Sequence, residues 1–195
     1  MNEQLTAISS WRRRTPWIAL LIVLCCTVLF LRLQGRLWWC ACGEFSPWSS
    51  DVNGKHNSQH LFDPYSFTHI LHGILLVWLL RWLIPQSTIP WRLSIALMLE
   101  SAWEALENTE FIIQRYRSET VAIGYIGDSV INSLGDILCC AMGCALVRFA
   151  GNRFAVAFLI LTEIILVLWI RDSLFLNILM LTMPLNSVKA WQTST

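Results

Sequence analysis

Charge is what this chain has least of. Lysine, arginine, aspartate and glutamate make up 14% of its 195 residues, where a soluble domain carries about 25%. That deficit, beside 55% hydrophobic residues, excludes an ordinary water-exposed surface and makes membrane residence the first expectation. The net charge is +1, so bulk electrostatics selects no partner. No basic surface interleaved with aromatics is present, and nucleic acid is not expected to bind. Also missing are a glycine-rich loop that could cradle phosphate, a G-x-S-x-G nucleophile elbow and an H-E-x-x-H metal helix. Hydrolytic or transfer chemistry in this chain therefore needs water or a metal-bound hydroxide as its nucleophile.

Apolar runs are abundant instead. Residues 16–33, 67–84, 91–108, 129–147 and 154–170 reach or approach the length of about 20 mostly apolar residues that crosses a bilayer. A sixth run, 174–188, is interrupted by Asn177, Pro184 and Asn186, and reads as a short sixth span or a re-entrant or interfacial segment. The expected fold is an all-α integral membrane bundle: five transmembrane helices plus that C-terminal segment, in a single domain over residues 1–195. The first run follows Arg12, Arg13 and Arg14, as a signal peptide would. However, "FLRLQGRLWW" offers no small-residue cleavage site, so it reads as a retained anchor.

Cationic loop residues orient a bundle. Arg12 to Arg14, Arg81 with Arg92, and Arg148 with Arg153 fall on one side, whereas Arg36, Lys55, Arg115, Arg117 and Arg171 fall on the other among several acids. The density of cations in the short loops places the N-terminus in the cytoplasm. The two longer polar connections, 34–66 and 109–127, then both lie outside.

The remaining polar residues gather toward that outer side. The first connection delivers His60, Asp63 and Tyr65, then His69 and His72 three apart on one face of the second span. The third span reads "LESAWEALENTEF"; the spacing of Glu100, Glu104, Glu107 and Asn108 puts them on one stripe. A carboxylate at mid-bilayer costs about 2.5 kcal/mol or more, so this stripe must face the bundle interior or a hydrated cavity. Asp128, Asn132 and Asp136 open the fourth span, drifting by only about 40° per four residues. Glu163 lies within the fifth span, which ends at Arg171 and Asp172.

Seven cysteines are present. Cys25, Cys26, Cys139, Cys140 and Cys144 sit in apolar runs and read as small hydrophobes. Cys40 and Cys42 lie at the water interface, where a disulfide, a thiol pair or a metal contact is open to them, although a lone C-x-C lacks the second half of a zinc-type spacing. The tryptophans at 38, 39, 78, 82 and 91 read as interface anchors.

The segments "CACG", "NSQHLFDPYSFTHILHG", "ESAWEALENTEFIIQRYR", "GDSVINSLGDI" and "IRDSLFLNILML" resemble a family of bacterial multi-pass inner-membrane proteins with no established activity. More loosely, the order His69, Glu104, Arg115 or Arg117, then Asp128-x-x-x-Asn132-x-x-Gly135 is similar to the VanZ-like membrane proteins. That resemblance implies an envelope function and a bacterial inner-membrane location. Further acids follow Glu104 where the VanZ-like pattern has glutamine, and His72 and Asp136 are additional.

Two functions fit these residues. The first is a hydrolase or transferase acting on a lipid or lipid-linked envelope substrate. His69 would serve as base or acid, Glu104 or Asp128 as its carboxylate partner, and His72 and Asp136 as further catalytic groups. Arg115 and Arg117 would hold a head-group phosphate, with His60, Asp63, Tyr65, Glu107, Asn108, Asn132, Arg171 and Asp172 completing the substrate site. A divalent metal such as zinc is a variant, held by His60, His69 and His72 with Glu104, Asp128 or Asp136. The second is a non-enzymatic binder, transport element or assembly factor using the same cavity. Membrane lipids are the expected partners in either case, and no protein partner is indicated.

Overall fold

The computed structural model describes the backbone of residues 2–193 and the side chains of residues 14–193. Arg12 and Arg13, on which the orientation partly rests, have side chains outside the described residues. The helices are α1 (Asn2–Leu33), α2 (Ser66–Leu83), α3 (Ile89–Glu107), α4 (Glu110–Glu119), α5 (Val130–Phe149), α6 (Asn152–Ile170), α7 (Leu174–Thr182) and α8 (Asn186–Thr193). Apart from one isolated bridge between Trp48 and Phe62, the described residues contain no β-structure.

Four helices, α1, α2, α5 and α6, are long and apolar enough to cross a membrane. The expected count of five spans plus a sixth exceeds these four, and charge and length account for the difference. α3 matches the others with 19 residues, about 28 Å at 1.5 Å per residue, but Arg92, Glu100, Glu104 and Glu107 make it too polar to qualify. α7 has nine residues, about 14 Å, and is too short to cross a bilayer. α4 and α8 were not foreseen. α4 starts where the Thr109 hydroxyl accepts from the Ile112 N–H and Glu110 occupies the first turn, which satisfies one free donor and complements the helix dipole.

Three contacts fix the helix directions. Gln34, just after α1, donates to Ala105 O near the end of α3. Ser66 at the start of α2 donates to Asp136 early in α5, and Trp78 near the end of α2 donates to Asn152 at the start of α6. α1, α3 and α6 thus run one way and α2 and α5 the other. Loop 34–65, the end of α3, the start of α5 and the α6–α7 turn meet at one end of the bundle.

The backbones of α2 and α5 approach very closely at two glycines. A Cβ built on Gly73 would lie 2.0 Å from Cys140 O, and one on Gly143 would lie 2.0 Å from Ile70 O. Only hydrogen fits between these backbones, which is how small residues let apolar helices pack closely without a hydrophobic drive between them. Leu80, Ala96, Leu97, Ile137 and Cys140 form the core on one side of this contact, and Leu71, Ile74, Val147 and Ala155 on the other. The outer faces of α1 and α6, with Leu21, Ile22, Leu29, Ile160 and Leu168, are exposed and apolar.

Loop 34–65 is tied to the start of α5. A helix leaves its first N–H groups without intrahelical partners; here Val130 N–H donates to Leu37 O and Ile131 N–H to Trp38 O. Ser129 N–H donates to Ser58 O, and the Asn132 amide to His60 O at 2.8 Å.

Replacing Gly143 with alanine should force the α2 and α5 backbones apart and cost about 1–3 kcal/mol. Thermal unfolding of the purified protein would show this as a lowered Tm, and an unchanged Tm would mean the helices are not seated so closely.

Candidate active site at one end of the bundle

The polar chamber is assembled from α2, α3, the 120–128 segment and α5. His69 and His72 lie within the first two turns of α2 and their rings meet edge to face, with centroids 4.9 Å apart. Both turn Nδ1 toward Glu100 on α3: His69 Nδ1 is 2.5 Å from Oε1, and His72 Nδ1 lies 3.0 Å from Oε1 and 3.1 Å from Oε2. An ionised carboxylate only accepts, so each Nδ1 carries the proton and donates it to Glu100. Whenever a ring is neutral, that donation selects the tautomer in which Nε2 is the basic lone pair.

The other acids surround His69. Glu104 Oε1 is 3.4 Å from its Nδ1, and Asp136 Oδ2 is 3.8 Å from its Nε2. Glu104 has no exposed surface, and neither of its carboxyl oxygens has a hydrogen-bond partner among the described residues. Buried polar atoms are ordinarily satisfied, and Glu107 Oε2 is the other chamber carboxylate oxygen without a partner among the described residues.

Asp128 is held firmly. Its backbone N–H donates to Asn108 Oδ1 at 2.7 Å, the Asn108 amide donates back to Oδ2 at 2.8 Å, and the Tyr125 hydroxyl donates to Oδ1 at 2.9 Å. Burial pushes its carboxyl up to about 6, against the lowering effect of those two donors. A carboxyl in that range can give or take a proton near neutral pH.

These groups line one cavity of about 340 Å³. His69, His72, Glu100, Glu107, Asp128 and Asp136 form its polar wall, while Leu75, Leu99, Trp103 and Ile178 form an apolar end. Leu75, Leu99 and Ile178 are also exposed on the outside of the bundle, so the cavity opens between α2, α3 and α7 toward the apolar perimeter.

The structure thus brings together His69, His72, Glu104, Asp128 and Asp136 of the expected catalytic set, and adds Glu100 as the histidines' partner in place of Glu104 or Asp128. Glu107 and Tyr65 also face the cavity. The arginine clamp is not there: Arg115 lies outside the cavity and donates to Leu181 O at 3.0 Å, tying α4 to α7, and Arg117 is exposed on α4. Asp63 serves the entry to α2, accepting from the N–H groups of Ser58, Tyr65 and Ser66. Asn108 and Asn132 brace Asp128 and the loop. Arg171 donates to Trp191 O on α8. Glu163 accepts from the N–H groups of Leu174 and Phe175 and so caps α7. His60 belongs to a separate cluster with Cys40, Cys42 and His56. The signal for His56, overlooked in the sequence, was its spacing four residues before His60.

Asp172 is buried at the α6–α7 turn, where it accepts from the Tyr65 hydroxyl, the Ser173 N–H and the Gln192 amide. Burial pushes its carboxyl from an ordinary 3.8 up to about 7. A raised carboxyl favours the folded state when protonated, and that stability is lost as pH rises from about 4 through about 7. Asn in its place keeps the acceptor for Ser173 and Gln192, and the Tyr65 hydroxyl can rotate to accept. Asp172→Asn should therefore match the parent near pH 4 and exceed its Tm by on the order of 5 °C at pH 8, measured by thermal unfolding at the two pH values.

Comparison with known proteins returns sequence relatives but no function. The family described as "protein of unknown function (DUF2585)" matches residues 31–194. A UPF0314 protein of Sinorhizobium fredii is 44% identical over 188 residues, covering 93% of each chain. One from Rhizobium meliloti is 43% identical over 184 residues, covering 93% of this chain and 92% of its own. Another from Paracoccus denitrificans is 39% identical over 183 residues, covering 94% and 95%. No solved structure matches. With a family match over most of its length and relatives at this identity, the chain belongs to the DUF2585 family.

Proposed function

We propose that the protein is a hydrolase or transferase of the bacterial inner membrane that acts on a lipid or lipid-linked envelope substrate from the periplasmic side. The observation that carries this reading is the double character of the cavity. Its polar wall offers a histidine oriented by a carboxylate, and its other end is apolar and continuous with the outside of the bundle. A molecule with a reactive polar head and an acyl or prenyl tail matches both ends at once.

In this reading α3 is a fifth crossing element, its acids shielded from lipid by α1, α2 and α5, and the N-terminus is cytoplasmic. The envelope location is also what the VanZ-like order of His69, Glu104, Asp128 and Asn132 implies. His69, with Nδ1–H given to Glu100, uses Nε2 to take a proton from water or from an acceptor hydroxyl as it attacks. Asp128 or Asp136 returns a proton to the leaving group. Among the described residues, the chamber lining includes no lysine or arginine to meet a phosphate. The sets His69, Glu104, Asp136 and Glu104, Glu107, Asp128 each have ligand atoms within 4.8 Å of one another, and a divalent ion held there would supply that charge. Transport is less well served, because Glu163, the acid that hinted at a path through the bundle, is engaged in capping α7.

Comparative lipidomics of a deletion strain tests the reading. Deletion should change the abundance of one envelope lipid class, and the parent gene should restore it. His69→Ala should lower the conversion by roughly 10²–10⁴-fold while still accumulating in the membrane. Full restoration by a folded His69→Ala protein would rule out the enzyme. Topology has its own check: a reporter that is active only outside the cytoplasm, fused after residue 55, should be active, and an inactive one would move the chamber to the cytoplasmic face.

A further inference from the structure

We propose that Cys40, Cys42, His56 and His60 form a structural zinc site in loop 34–65, separate from the chamber. Their four ligand atoms lie within 4.8 Å of one another. Zinc bound at about 2.3 Å to sulfur and 2.0–2.1 Å to nitrogen in a tetrahedron requires S···N edges of about 3.5 Å and an N···N edge of about 3.3 Å. The structure has Cys40 Sγ 3.5 Å from His56 Nδ1, Cys42 Sγ 4.0 Å from His60 Nε2, and His56 Nδ1 3.2 Å from His60 Nε2. Two edges match and the third is within half an ångström.

The surroundings are those of a ligand set. His60 Nδ1 donates to Ser46 O at 2.7 Å, which fixes the tautomer and leaves Nε2 as a lone pair aimed into the cluster, the outer-shell pattern of metal-bound histidine. Each sulfur accepts a backbone N–H two residues on, Cys40 from Cys42 and Cys42 from Glu44, both at 3.4 Å. Such donors stabilise thiolates, the form in which cysteine binds metal. The Trp39 ring stacks on Phe45 and meets His60 edge-on, shielding one side, while Cys42 and His56 are partly exposed and leave an entry path.

The sequence carries the same information. C-x-C is followed after 13 residues by H-x₃-H, close to the spacing of Cys₂His₂ zinc modules. The half missing from a lone C-x-C is supplied by "HNSQH". Four protein ligands of this softness close the coordination sphere of zinc, so the site is structural. The metal would join the turn at 40–42 to the turn at 56–60, and those turns flank the loop carbonyls that hold the start of α5.

The test is metal analysis of the full-length protein, purified in detergent from zinc-supplemented cells and desalted. About one zinc per chain is expected for a single closed site. Cys42→Ser and His56→Ala should reduce it to background, whereas Asp172→Asn, at a carboxyl outside every candidate metal set, should leave it unchanged. Because the first two variants could fail to fold, the parent protein exchanged with cobalt(II) gives a second readout: visible bands of a tetrahedral cobalt–thiolate centre are expected. The inference fails if the parent carries no zinc, if zinc is kept in folded Cys42→Ser or His56→Ala, if cobalt shows only octahedral bands, or if thiol titration finds Cys40 and Cys42 joined as a disulfide in metal-free protein. None of these outcomes depends on the lipid profile, so this proposal and the enzymatic one fail separately.

Discussion

A carboxylate inside an apolar bundle has lost its water, and the bundle must return donors to it or leave it at high cost. Glu100 is where that constraint is met, with two imidazole N–H groups delivered by one face of α2. The pairing demands that α2 and α3 stand side by side, with the start of α2 level with the latter half of α3, and that α2 be rotated so that residues 69 and 72 look at α3. The close approach at Gly73 and Gly143 then sets the position of α5 on the other flank of α2. That places Asp136 within reach of Ser66 and His69, so one buried ionic group fixes the relation of three helices.

The remaining acids are less well provided for, and the inequality is informative. Asp128 receives donors from Asn108 and Tyr125, and Asp172 from three partners, whereas Glu104 receives none. Glu107 shares the shortfall at Oε2, and on the proposed function these bare oxygens are where a bound substrate or ion would be met. Proteins keep such unsatisfied groups at functional sites and compensate for them elsewhere.

Much of this arrangement can be read in the residues. Hydropathy marks α1, α2, α5 and α6, and the four- and three-residue spacing of Glu100, Glu104 and Glu107 marks the inward stripe of α3. Periodicity gives a face but not a depth, which is why Glu100 and Glu104 were interchangeable on the stripe until the histidines' height on α2 was known. Arg115 and Arg117 were misread for a related reason: "IIQRYR" forms its own short helix, α4, and the direction of that helix, invisible in the order of residues, carries them away from the cavity. His56 was passed over because its partners stand 14 and 16 residues away, and only the folded loop makes C-x-C and H-x₃-H a single cluster.

The carbonyls of Leu37, Trp38, Ser58 and His60 give loop 34–65 a second meaning. Each is already bonded to the start of α5 or to its cap, so opening the chamber toward water would break several hydrogen bonds together. The gap bounded by Leu75, Leu99 and Ile178 needs no such rupture. On the proposed function, traffic through the site is two-dimensional: the quantity that sets its rate is the number of substrate molecules per unit area of bilayer, and dilution in bulk solvent leaves that unchanged.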